Sequence, residues 1–77
     1  MQKNQQKKED NLRFEEFTKK EYEYFCENCM FSELQEKILK DRIKDISIIA
    51  ISLKYNISES KVNKEVRKIK DKIIKVI

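Results

Sequence analysis

The chain contains no glycine, proline, histidine or tryptophan. Tight turns with positive φ normally use glycine, so an architecture rich in β-hairpins is set aside. There is no glycine-rich loop to cradle a nucleotide phosphate. Without histidine the commonest general base at neutral pH is missing. Glu15/Glu16 and Asp41/Asp45 then read most simply as surface charge, and no enzyme activity is expected. Cys26 and Cys29 form a C-x-x-C pair, but zinc needs about four ligands, and the chain has no further cysteine. Two chains would have to supply the four thiolates. A thioredoxin-type site would need a βαβ context, which is absent. The pair therefore reads as two small hydrophobes on one helix stripe, and no metal or cofactor is expected. No apolar run approaches the roughly 18 residues of a membrane span. Met1 to Asp10 is polar, with no hydrophobic signal-peptide core. The expected location is the cytoplasm, where both thiols stay reduced.

What is present is charge: 42% of the 77 residues are Asp, Glu, Lys or Arg. A chain of this length makes one domain, and one that buries only about 60% of its unfolded surface. With Ile and Leu spaced between the charges, it reads as amphipathic helices with solvated outer faces. Net charge is +4, unevenly spread. Residues 1–46 hold 10 Lys/Arg against 11 Asp/Glu, whereas residues 47–77 hold 8 against 3. A basic C-terminal segment points to a polyanion, nucleic acid first, or else to a solvated face with no partner.

The expected fold is all-α, a small helical bundle with a helix-turn-helix and a long C-terminal helix. Residues 1–13 read as a flexible polar tail and 14–77 as the domain, with the motif at 47–69. Thr18 with Glu21 and Ser32 with Gln35 fit capping boxes that open two helices. The first carries Tyr22, Phe25, Cys26 and Cys29 on one stripe, with Tyr24 off it. Its aromatics, with Phe31, read as core rather than as a platform for stacking bases. Leu34, Ile38, Leu39 and Ile43 continue at helical spacing in the second.

From Ile46 to Ile69 the chain reads ISIIAISLKYNISESKVNKEVRKI. Ser47 caps a short helix over about Ile48 to Lys54, whose inward face is Ile48, Ile51 and Tyr55. Tyr55, Asn56 and Ile57 form the turn. Asn56 suits a left-handed corner, and Ile57 plugs the angle between the helices. Ser58 caps the last helix, with Glu59 in its first turn and Val62, Val66 and Ile69 inward. Two capped helices joined this closely make a helix-turn-helix. The outer face of the second helix carries Ser60, Lys61, Asn63, Lys64, Arg67 and Lys68. Asn pairs bidentately with adenine, and Arg or Lys with guanine. Residues near the start of such a helix reach base edges, so Ser60, Lys61, Asn63 and Lys64 are assigned to bases. Arg67 and Lys68 are assigned to phosphate, together with the helix N-terminus at Ser58. Double-stranded DNA is the expected partner.

Residues 33–69 resemble the C-terminal promoter-reading domain of sigma factors and the similar LuxR-type helix-turn-helix. The resemblance rests on LQEKILKDRI followed by the run from Asp45 to Ile69, with Ser47, Ile51, Ile57, Ser58 and Val62 matching the pattern. Asp45 stands where that pattern often has Gly, Ala50 where it often has Glu, and Ser52, Tyr55 and Lys61 where it has Ala, Leu and Thr. The resemblance implies transcription-linked DNA binding. The chain is too short for a complete sigma factor, so it suits a stand-alone regulator of the kind small phage or mobile-element proteins supply.

Ile69, Ile73, Val76 and Ile77 continue the spacing of Val62 and Val66 as a heptad-like seam, whose first part is expected to pack on the domain while its end extends beyond the core. A lone motif covers few base pairs, so the seam is an expected interface for a homodimer. In a second reading from another class it docks on RNA polymerase or a cognate regulator, and the basic face is incidental. A third reading lays the basic, amphipathic residues 59–77 on a membrane surface, but that face has no Trp or Phe.

Overall fold

Four helices and one short 3-10 turn make up the computed structural model, which describes residues 12–77. The polar tail expected at 1–13 lies almost wholly outside the described residues. Each helix starts where a short polar side chain replaces a missing backbone partner. Thr18 Oγ1 accepts from the Glu21 amide at 3.1 Å, and the Glu21 carboxylate accepts from the Thr18 amide at 2.8 Å. This reciprocal pair opens α1, Lys19–Asn28. Ser32 and Gln35 repeat the arrangement at 3.1 Å each way and open α2, Glu33–Ile43. Ser47 Oγ accepts from the Ala50 amide to start α3, Ile48–Tyr55. Ser58 Oγ accepts from the Lys61 amide to start α4, Glu59–Val76. Each such cap satisfies an amide with no partner inside the helix and contributes about 1 kcal/mol.

The connections need left-handed backbone, and other residues take the place of the absent glycine. Met30, Asp45 and Asn56 have φ of 50°, 65° and 58°. Asn and Asp tolerate this region because their short polar side chains bond locally. At Asn56 the reversal lets the Ile57 amide reach the Ser52 carbonyl at 3.0 Å, which closes α3 and turns the chain into α4.

The core is built from all four helices. Ile38 and Leu39 of α2, Ile51 of α3, and Val62, Ile69 and Ile73 of α4 are each 0% exposed. Phe25 and Cys29 of α1 and Phe14 of the 3-10 turn complete it. The Phe17 ring lies 5.7 Å from Phe14 and 5.2 Å from Phe25, fastening the entry segment over the bundle. Tyr24 is exposed, with its ring edge-on to that of Phe25 at 5.6 Å. Among the described residues no helix is long and apolar enough to cross a membrane.

Two sequence expectations are corrected by the packing. Asp41 is not surface charge: it is 3% exposed. Its carboxylate accepts from the Tyr55 hydroxyl at 2.6 Å and from Lys54 Nζ at 3.0 and 3.2 Å. A carboxylate can sit inside a bundle when its oxygens are satisfied in this way, and this one locks α2 to α3. The seam of α4 is also not a free stripe. Ile69 and Ile73 belong to the buried core, leaving Val76 half-buried and Ile77 exposed. The 4–3 spacing serves packing within the chain.

Candidate nucleic-acid interface

The motif has the expected shape. Ile51 and Val62 are fully buried, while Ile48, Tyr55, Ile57 and Val66 pack partly buried around them. Three residues, Asn56 to Ser58, separate α3 from α4. With Val62, Ile69 and Ile73 turned inward, the 3.6-residue period sends Ser60, Lys64, Arg67, Asp71 and Lys75 outward. Ser60, Lys61, Asn63, Lys64, Arg67 and Lys68 are all exposed. Ser58 is held differently: its hydroxyl is engaged as the cap.

The basic side chains of residues 47–77 divide into two groups. Five are engaged within the fold. Lys54 bonds to Asp41, a contact that holds its ammonium above the ordinary lysine value. Lys61 and Lys68 lie 3.0 and 3.9 Å from the Glu65 carboxylate. Lys72 donates to the Gln35 side-chain oxygen at 2.8 Å and to the Met30 carbonyl at 3.1 Å. Lys70 lies over the Phe14 ring at 5.8 Å. Lys64, Arg67 and Lys75 have no such partner among the described residues. These three share the outward row of α4, with Asp71 the one acid among them.

Glu65 went unnoticed in the sequence and organises this face. It is 5% exposed and accepts from Gln35 Nε2 at 2.9 Å. That hydrogen bond, helped by Lys61 and Lys68 and opposed by burial, holds its carboxyl below the ordinary range. Its position was readable: three residues after Val62 and four before Ile69, it falls on the inward half of the helix.

No family model, curated protein or solved structure matches this chain.

The remaining chemistry-bearing groups lie elsewhere. Burial is the main cause pushing both the Cys26 and Cys29 thiols above their ordinary value, which keeps them protonated and weak as ligands or nucleophiles. Among the described residues no cluster of His, Cys, Asp or Glu is grouped to hold a metal ion. An open groove of about 510 Å³ runs between α1 and α2, lined by Lys19, Tyr22, Glu23, Lys40, Ile43 and Lys44. It includes no residue of the helix-turn-helix.

Proposed function

We propose that the protein binds double-stranded DNA through the outward row of α4, as a transcription regulator of the helix-turn-helix type. The observation that carries this reading is the row itself. Lys64 and Arg67, the cations in the first half of α4 without a partner among the described residues, stand on the same exposed face as Ser60 and Asn63. Unengaged Lys and Arg neutralise phosphates and release counterions, while Asn, Arg and Lys read base edges. The corner before α3 adds support: Asp45 occupies the place where the resembled domains often carry glycine, and its φ is 65°.

The role assignments tighten accordingly. Ser60, Asn63 and Lys64 face bases, Arg67 faces phosphate or a guanine, and the amides capped by Ser58 lie at the start of the helix. A second copy, an RNA polymerase contact and an origin in a phage or mobile element belong to the same proposal. A seam contact with any of these partners is reduced to Val76 and Ile77.

Fluorescence anisotropy of a labelled random-sequence duplex over a salt series tests the reading. The two free cations on this stretch, Lys64 and Arg67, predict a slope of log Kobs against log salt of about −2. Lys64→Glu/Arg67→Glu is expected to abolish binding while leaving the helical circular dichroism intact. Folded wild type that ignores duplex DNA at low salt would sink the proposal and favour a protein contact.

A further inference from the structure

We propose that Glu65 is a specificity-setting residue: by tethering Lys61 it removes one cation from the phosphate-binding inventory of α4 and so limits sequence-independent grip. The inference rests on the DNA reading above, but concerns how that reading is tuned.

The geometry distinguishes Lys61 from its neighbours. Its ammonium lies 3.0 Å from Glu65 Oε2, on a carboxylate whose side chain is 6% exposed. The other oxygen, Oε1, is held by Gln35 Nε2 at 2.9 Å, so the carboxylate is fixed from the bundle side. Gln35 is itself fixed, because its Oε1 accepts from Lys72 and from the Ser32 amide. The result is a relay, Lys72 to Gln35 to Glu65 to Lys61, running from a half-buried lysine through two buried side chains to the edge of the outward face. Lys68, at 3.9 Å, is the looser neighbour. One carboxylate cancels one positive charge, so Lys61 and Glu65 together present no net charge to a polyanion.

A buried carboxylate left without a counter-ion is costly, and Lys61, nearer to Oε2 than Lys68, is the ammonium best placed to supply one. A cation held in this way adds little to the counterion release that drives indiscriminate binding. Discrimination then depends more on Ser60, Asn63, Lys64 and Arg67, which face outward without such a tether.

The test compares salt slopes on a random duplex. Glu65→Gln keeps an acceptor for Gln35 and releases the one positive charge that the carboxylate cancels, which lies chiefly on Lys61 at 3.0 Å and not on Lys68 at 3.9 Å. Its slope is expected to be steeper than wild type by about 0.9, which is roughly eightfold tighter random binding at 0.1 M salt if the two proteins are equal at 1 M. Lys61→Met/Glu65→Met removes the pair as a unit, an exchange that folded proteins often accept. Its slope is expected to equal that of wild type, whereas Lys64→Gln should be shallower by about 0.9. A folded Glu65→Gln with an unchanged slope overturns the inference, as does a double variant that is shallower by one phosphate. Both outcomes leave DNA binding standing. Wild type that does not bind duplex at all removes the DNA reading first and this inference with it.

Discussion

Replacing Tyr55 by Phe removes one oxygen and no packing volume, which makes it a clean probe of the link between α2 and α3. The Tyr55 hydroxyl donates to Asp41 at 2.6 Å, and Asp41 is 3% exposed. Hydrogen bonds to a charged acceptor contribute about 1.5–3 kcal/mol. Tyr55 is only half-buried, so the lower end applies, about 1.5 kcal/mol. A domain of this size is stable by roughly 4–12 kcal/mol, so the change is a sizeable part of the total. With a urea slope of about 1 kcal/mol/M, the midpoint should fall by about 1.5 M and the slope should not change. In a thermal melt the same difference lowers Tm by roughly 6–12 °C.

The pH dependence gives a second check. Burial first, then the hydrogen bond and charge of Asp41, push the Tyr55 phenol above its ordinary value of 10.0, against the opposing Lys54 ammonium. The fold therefore favours the neutral phenol. Its contribution is fully present below the unfolded value and is lost as pH rises through the raised folded value. The gap between wild type and Tyr55→Phe should be constant around neutral pH and should narrow in alkali. Combining Tyr55→Phe with Asp41→Asn in a double-mutant cycle should give a coupling of about 1 kcal/mol or more. A Tyr55→Phe protein within about 0.5 kcal/mol of wild type at neutral pH would refute the assigned role of this hydrogen bond.

Two further outcomes are expected. Ile69→Ala should cost about 2–5 kcal/mol in a urea melt, because it opens a cavity where the side chain is 0% exposed, whereas Ile77→Ser should stay within about 0.5 kcal/mol. Equal losses at the two positions would contradict the division of the seam. In an alkaline titration followed at 295 nm, Tyr22 should ionise only at about 12, because it is desolvated and hydrogen-bonded to Cys26. Tyr22→Phe should remove that late step.

What was legible in the sequence is what depends on neighbours four positions away or fewer. The Thr18/Glu21 and Ser32/Gln35 capping boxes, the Ser47 and Ser58 caps and the left-handed corner at Asn56 all belong to this class. So does the all-α architecture, which follows from apolar spacing. The buried polar pairs were not legible. Asp41 meets Tyr55 across 14 positions and Gln35 meets Glu65 across 30. A count of charges treats such carboxylates as surface because burial is a property of the partner, not of the residue. Lys61 and Lys68 stand only four and three positions from Glu65, so their pairing was within reach of the sequence; the contact out of reach is the Gln35 hydrogen bond that fixes the carboxylate. The seam failed differently: a 4–3 spacing describes a helix with one apolar side, and the same spacing suits a partner helix or the chain's own core.

The burial of Ile69 and Ile73 also bears on how much information one copy can read. On the proposed reading, the stretch that faces DNA runs from Ser60 to Arg67, about 10 Å of helix axis at 1.5 Å per residue. That length matches about three base pairs at 3.4 Å each. A three-letter word recurs by chance about once in 64 base pairs, far too often to single out one site among the million or more that a genome offers. A unique address then requires several words read together. Because the inner half of the seam is committed to the fold, a joint between reading heads made through it has only Val76 and Ile77 to use.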